Sequence, residues 1–309
     1  MRYSGHESFA CRYAWLPKAY RALRKSPSIL SDEERAMVEL GVGKNMVRSI
    51  RFWVEVMGVA APHDRRRAFE PTPFGHALFA EDGFDPFLED IRTLWLLHWH
   101  LATHAEDPVF AWRYLLNHWP HAQLTRSEAL AAFRRESENA GLSHSDVTLG
   151  QHLDVFLHTY LPSRTSASAE DSIDCPLVEL AFLQHVGEQR MGDTGRREPV
   201  YAFRREAKSD VTAELFEYCL HDFWQQWRPA EATLTFREVA VAPGSLGQVF
   251  KLPEDDLRSR LEAYAHSEAA EPFIYRPSAV QGLVTRGPSC PAQTIDLLRA
   301  VYQPGAKHA

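Results

Sequence analysis

The stretch Leu40-Gly41-Val42-Gly43-Lys44-Asn45-Met46-Val47-Arg48-Ser49-Ile50-Arg51-Phe52-Trp53 constrains this chain most, because at 3.6 residues per turn it separates into a cationic face and an apolar face. Lys44, Arg48 and Arg51 fall at i, i+4 and i+7 on one stripe, while Met46, Ile50, Trp53, Val54 and Met57 cluster across from them. The apolar stripe predicts a helix docked on a core. The basic stripe is left to solvent, where phosphates are its natural counterpart. Gly43 keeps the backbone slim at the helix start, where exposed N–H groups and the positive end of the dipole can also receive a phosphate.

Upstream, Ser31 to Leu40 reads as a second helix that ends at Gly41, with Ser31 and Glu34 at capping-box spacing. Two helices joined by Gly41-Val42-Gly43 predict a helix-turn-helix, whose second helix conventionally enters the DNA major groove. Val59 to Thr72 then reads as two short extended pieces around a tip carrying Arg65, Arg66 and Arg67, and Thr72 caps a helix with Pro73 in its first turn. Together these make a winged helix-turn-helix pattern. Its DNA-contact candidates are Lys44, Asn45, Arg48, Ser49 and Arg51 on the helix and Arg65, Arg66 and Arg67 on the wing. Asn45 and Arg48 have side chains that pair with adenine and guanine edges. The plainer reading makes the same cations a solvated face and the wing a surface hairpin. Charge distribution favours the former: residues 1–75 hold 13 Lys and Arg against 8 Asp and Glu, whereas the remainder holds 21 against 33. A basic N-terminal module is thus hidden inside a chain of net charge −7.

The length of 309 residues and a hydrophobic content of 45% suffice for two or three small cores, and no apolar run reaches bilayer length. The N-terminus lacks an apolar signal region, so cytoplasmic retention is expected. Cys11, Cys175, Cys219 and Cys290 form no CxxC pair, so neither a zinc ribbon nor a disulfide framework follows, and reduced thiols suit the cytosol.

The expected fold is α+β, mainly α with small β-hairpins, in three parts: a winged helix-turn-helix over 1–80, a helical spine with a central winged-helix-like unit over 81–206, and a C-terminal winged-helix-like unit over 207–309. Asp85-Pro86-Phe87-Leu88 opens the spine helix. Within it His100 and His104 share a face, but no further ligand is near, and packing among Trp95, Trp99 and Trp112 is the simpler account. Thr125 to Glu128 caps another helix, and Val147 to Leu161 forms the next. Residues 163–171 read as a loop, and the tip from Gly192 to Arg197 precedes a strand at Val200 to Arg204. In the last part, an acid-led helix at Pro253 to Leu261 precedes paired strands at Phe273 to Arg276 and Gly282 to Arg286.

Chemistry concentrates at the start. Gly5-His6-Glu7-Ser8-Phe9-Ala10-Cys11-Arg12 places a titratable pair beside a thiol and a guanidinium. Ser4 and Glu7 stand at capping-box spacing, and, without excluding that role, His6 reads as a general base or metal ligand, Glu7 as a metal ligand and Arg12 as a phosphate clamp. No P-loop, Rossmann glycine fingerprint, GxSxG elbow or HExxH occurs, so common nucleotide-hydrolysing, dinucleotide-binding and hydrolase classes lose support.

These blocks, with Trp15-Leu16-Pro17-Lys18, Pro71-Thr72, Phe74-Gly75 and Asp174-Cys175-Pro176-Leu177-Val178-Glu179-Leu180, resemble a bacterial family catalogued as a domain of unknown function that accompanies DNA phosphorothioation genes. The resemblance spans nearly the whole chain and is most specific in the first two blocks. The family includes the B component, SspB, of single-strand phosphorothioation systems, which also use a cysteine desulfurase, an ATPase and an adenylating sulfur-transfer enzyme. The resemblance implies a protein that nicks double-stranded DNA so that sulfur can enter the backbone, in anti-phage defence. It marks Lys44, Asn45, Arg48 and Arg51 as DNA contacts and leaves His6, Glu7 and Arg12 as catalytic candidates. A nickase would ordinarily use Mg²⁺ or Mn²⁺, yet no compact carboxylate cluster is legible. In that reading the acidic remainder of the chain meets partner proteins or a second copy; the alternatives are a non-catalytic DNA-binding adaptor or winged-helix transcriptional regulator, and an interaction scaffold with no DNA contact.

Overall fold

The computed structural model describes residues 1–63, 65, 67–162, 175–190, 195–265, 271–278 and 280–304. The fold is α+β, with helices in the majority and strands confined to small antiparallel sheets. By contact the chain divides into two compact units: Met1–Leu115 with Trp119–Arg204, and Leu116–His118 with Arg205–Ala309. Among the described residues no helix is long and apolar enough to cross a membrane.

The first unit opens with α1 (Trp15–Lys25), α2 (Glu33–Leu40) and α3 (Lys44–Val56). Gly41 adopts φ 66°, the left-handed conformation that lets the chain leave α2 and turn into α3 without strain. The cap of α2 lies one residue beyond the expected Ser31: the Asp32 carboxylate accepts the Arg35 N–H at 3.2 Å, while Ser31 closes a 3₁₀ turn, Ile29–Ser31. Asp and Ser cap almost equally well, so the preceding turn decides between them. Strands β1 (Ala60–His63) and β2 (Ala68–Pro71) follow α3 and pair from Ala60 against Pro71 to His63 against Ala68. They lead into α4 (Pro73–Phe79), where the Thr72 hydroxyl accepts the Gly75 N–H at 2.9 Å.

Helix α5 (Ile91–Thr103) starts later than Asp85, whose carboxylate instead accepts the N–H groups of Glu89 and Asp90, leaving Asp90 as the cap. Most of its residues are buried, Thr93 to Trp99 without a break, so protein encloses nearly its whole circumference. His98 is fully buried against the Tyr160 hydroxyl at 2.7 Å, and His100 packs on Phe74. After α6 (Phe110–Asn117) come β3 (Gln123–Thr125), α7 (Arg126–Asn139), α8 (Asp146–Tyr160), β4 (Leu183–Arg190) and β5 (Arg197–Phe203), with sheet order β3-β5-β4. Thr125 and Glu128 close a full capping box on α7. The expected loop at 163–171 and residues 192–194 of the expected tip lie outside the described residues.

Residues on both sides of position 80 share one core in this unit: Trp53 of α3 meets Trp112 of α6 edge to face at 6.0 Å, both fully buried. Each such burial contributes roughly 1.5–3 kcal/mol.

The second unit comprises α9 (Ala213–Trp227), β6 (Thr233–Thr235), α10 (Phe236–Val241), α11 (Leu246–Val249), α12 (Glu254–Glu262), β7 (Phe273–Arg276), β8 (Leu283–Arg286) and α13 (Leu298–Tyr302), with sheet order β6-β8-β7. A strand, a helix opened by a capping box at Thr235 and Glu238, further helix and a closing hairpin repeat the order of elements from β3 to β5. Trp224 stacks on Phe273 at 6.1 Å in its core.

Candidate nucleic-acid interface

Helix α3 exposes Lys44 and Asn45 to solvent and Arg48 and Arg51 partly, while Val47, Ile50, Trp53 and Val54 are buried behind them. The exposed positions follow from the helical period, since 44, 48 and 51 fall on one side and 47, 50 and 54 on the other. Ser49 is a correction to the expected contact set. It is fully buried, and its hydroxyl donates to the Phe9 carbonyl at 3.5 Å, the same oxygen that receives the Trp53 indole N–H at 3.0 Å. Both bonds tie the N-terminal segment to the back of α3, so Ser49 has no surface to offer a ligand.

The stripe is not bare. Glu33, at the start of α2, reaches Lys44 at 2.9 Å and Arg48 at 2.6 Å. Hydrogen bonds from Lys44 and Arg48 hold its carboxyl below the ordinary value, and the Arg48 guanidinium is raised in return. Two cations therefore share one carboxylate across the helix-turn-helix. These pairs are solvent-exposed and exchangeable, so an incoming phosphate can replace Glu33.

Beyond Arg51 the same stripe reaches Glu55, one turn further on, and enters a cleft of about 360 Å³ lined by Arg2, Ser4, Gly5, Glu7, Arg48, Arg51, Phe52, Glu55 and Asp107. Arg2 is its fixed centre. Its guanidinium is paired with Glu55 and donates from Nε to Asp107 at 2.9 Å. Its backbone is held between Pro108 and Phe110, with Arg2 N–H to Pro108 O and Phe110 N–H to Arg2 O both at 2.9 Å. Burial pulls the Arg2 guanidinium down, but the pairing with Glu55 and Asp107 outweighs it, so it stays charged. Local spacing gives no hint of Arg2, Glu55 and Asp107 as a group, because the contact spans more than a hundred residues. Glu33 was more accessible: an acid in the first turn of the first helix of a helix-turn-helix faces the start of the second.

The segment that walls the cleft is bent. Gly5 takes φ 111°, and a Cβ there would stand 3.0 Å from the Phe52 ring. Glu7 and Ser8 take φ 48° and 67°, conformations that cost non-glycine residues about 1–3 kcal/mol each and persist only where surroundings impose them. No helix begins here; α1 starts at Trp15, which removes the capping-box explanation for Ser4 and Glu7. Glu7 is half-buried on the cleft wall.

His6 does not join Glu7 there. It is buried, with Nε2 at 2.8 Å from His152 Nδ1. Because His152 Nε2 accepts the Ala111 N–H at 3.0 Å, the single proton of neutral His152 sits on Nδ1 and is donated to His6 Nε2. Burial lowers the His6 pKa to about 4 and that of His152 well below its ordinary value. With its Nε2 lone pair committed, His6 is placed as a structural tie between the N-terminal segment and α8 rather than as a base or metal ligand. The Arg12 guanidinium is half-buried and lies over the rings of Trp15 and Phe9 at 5.4 and 5.9 Å.

On the hairpin, Arg65 and Arg67 are exposed, and Arg65 takes φ 52° at the turn. Arg66 lies outside the described residues. Among the described residues no group of three or more His, Cys, Asp or Glu side chains converges as a metal site, His100 and His104 included.

A family model described as a protein of unknown function (DUF4007) matches residues 3–302. Two solved structures resemble the chain over nearly its full length: a magnesium ion-bound SspB crystal structure with a TM-score of 0.81, and an SspB crystal structure with 0.80. Each is 25% identical, with 97% of this chain and 87% of that chain covered. No curated protein matches the chain in sequence.

Proposed function

Because the chain belongs to the DUF4007 family, with SspB crystal structures among its structural relatives, we propose that it is the DNA-engaging and DNA-nicking component of a single-strand phosphorothioation system. In this reading α2, α3 and the β1–β2 hairpin form a winged helix-turn-helix, with α3 in the major groove and Arg65, Arg66 and Arg67 following the backbone. Lys44, Arg48 and Arg51 neutralise phosphates, and Asn45 and Arg48 read base edges. The observation that carries the reading is the exposed Lys44–Arg48–Arg51 stripe running into the Arg2 cleft. The elements β3 to β5 and β6 to β8 repeat a winged-helix order, and in this reading the part of the chain after residue 75, with 33 Asp and Glu against 21 Lys and Arg, meets partner proteins of the same system, the sulfur-transfer enzyme and the ATPase, or a second copy of the chain. Mg²⁺ or Mn²⁺, when bound, would stabilise charge on the scissile phosphate.

A second reading, a non-catalytic adaptor or regulator on DNA, is favoured by the inward commitment of His6. Incubation with supercoiled plasmid, with and without Mg²⁺ or Mn²⁺, separates the two. Open-circle product that depends on metal and is lost in Glu7→Gln supports nicking, whereas retention of intact plasmid supports the adaptor.

A further inference from the structure

Every exposed position of α1 carries a cation. Lys18, Arg21, Arg24 and Lys25 form its outer face, its other residues are buried, and the helix holds no acid. Lys25 reaches Glu39 of α2 at 3.0 Å, whereas Lys18, Arg21 and Arg24 make no ion pair among the described residues. All four line a groove of about 750 Å³ shared with α4 and the turn that follows it, and the groove has no lining residue in common with the Arg2 cleft. Buried Ala22 and Phe79 supply its apolar part.

The turn contributes an aromatic ring that the fold leaves outside. Phe87 lines the groove and is 69% exposed. Its neighbours are fixed: the Asp85 carboxylate accepts the N–H groups of Glu89 at 2.8 Å and Asp90 at 3.0 Å, and the fully buried Leu88 takes φ 64°. A leucine keeps that left-handed conformation only where its surroundings impose it. Phe87 is thus presented on a set turn, which lowers the entropic cost of stacking a ligand on it. Glu81 and Asp82, exposed at the start of the same turn, also line the groove. Burial raises the Tyr20 phenol above its ordinary value, and Arg24 and Asp82 act on it with opposite sign, so both charges face the groove that Tyr20 lines.

A ligand matched to these groups offers anionic oxygens to α1, a flat face to Phe87 and hydrogen-bond donors to the two carboxylates. An acidic peptide supplies only the first and is repelled by Glu81 and Asp82. An unpaired nucleotide supplies all three, as phosphate, base and exocyclic amino group. Inside a duplex the base faces are covered, so the strand must be single. We infer that this groove binds single-stranded DNA, with phosphates on Lys18, Arg21 and Arg24, a base stacked on Phe87 and amino groups received by Glu81 and Asp82. The choice of DNA over RNA rests on the reading above; the groove itself is separate from the α3 stripe.

The test uses the full chain carrying Lys44→Gln, Arg48→Gln and Arg51→Gln, which silences the stripe, and short labelled dC and dT oligonucleotides followed by fluorescence anisotropy across a salt series. Single strands should still bind, with dC tighter than dT because only cytosine bears an exocyclic amino group. Adding Arg21→Gln and Arg24→Gln should make the salt slope shallower by about 1.4, at about 0.7 for each cation. Phe87→Ala should weaken binding by at least about fivefold at an unchanged slope. Phe87→Trp should keep the affinity, and Phe87→Leu, which keeps bulk without a π-face, should not. Glu81→Ala with Asp82→Ala should abolish the preference for dC. Single-strand binding that disappears with the stripe alone, ignores Arg21, Arg24 and Phe87, or shows no preference for dC overturns the inference. A poly-glutamate peptide or an RNA oligonucleotide bound more tightly than DNA through the same residues overturns it in favour of that partner. Duplex binding by the wild type, measured alongside, decides the DNA reading separately.

Discussion

Replacing Glu33 by Gln should make the chain bind DNA more tightly, against the usual effect of deleting a salt-bridged residue. Glu33 occupies Lys44 at 2.9 Å and Arg48 at 2.6 Å, and both hydrogen bonds hold it ionised. When duplex phosphates take those two cations, Glu33 is released into water and recruits a counterion, cancelling about one of the ions that DNA sheds. Each ion is worth about 0.9 in the slope of log K against log salt. Glu33→Gln should thus steepen the slope by about 0.9, which corresponds to roughly eightfold tighter binding near 0.1 M salt and roughly fourfold near 0.2 M, fading toward 1 M. The near-isosteric amide keeps the helix turn filled, and unfolding curves should confirm an intact fold. Anisotropy titrations of a short duplex across this salt range read the effect. An unchanged or shallower slope would show that Lys44 and Arg48 never leave Glu33, and the phosphate-contact reasoning would be refuted.

Three further outcomes follow from the same structure. Trp53→Ala removes a fully buried indole whose N–H serves the Phe9 carbonyl, and should cost about 3–5 kcal/mol in denaturant unfolding; a loss below 1 kcal/mol would mean that α3 is not anchored as described. His6 and His152 are held neutral by burial, His6 at about 4. Above their ordinary value near 6.5 neither state binds the extra proton, and as pH falls below it the unfolded chain gains protons that the folded one refuses, so stability falls toward pH 4, by about 3 kcal/mol for His6 alone. Melting temperatures that stay flat over that window would contradict the buried pair. Asn45→Ala should flatten sequence preference, by about 1–3 kcal/mol between preferred and altered bases if the amide reads adenine, while leaving the salt slope unchanged; a changed slope with intact preference would assign Asn45 to the backbone instead.

The helical period alone placed the stripe of α3, since burial of Val47, Ile50, Trp53 and Val54 leaves Lys44, Asn45 and Arg48 little choice of side. Gly41 between two periodic runs and Thr72 before Pro73 are short-range signals, and the turns they announce are present. What spacing could not supply was long-range. The Arg2–Glu55–Asp107 group, the pairing of His6 with His152 and the turning of Arg12 onto Trp15 depend on which segments pack together. Ser49 shows the same limit on a smaller scale. A hydroxyl on a helix is polar enough to read as surface, yet a single carbonyl, that of Phe9, suffices to hold it inside.

The most direct test exchanges Lys44, Arg48 and Arg51 together for Gln and measures the salt dependence of duplex affinity. The slope should become shallower by about two to three, with circular dichroism and melting temperature unchanged, since these side chains project from the exposed face of α3. An unaltered slope in a folded triple variant would place the nucleic acid elsewhere or remove it from the account altogether.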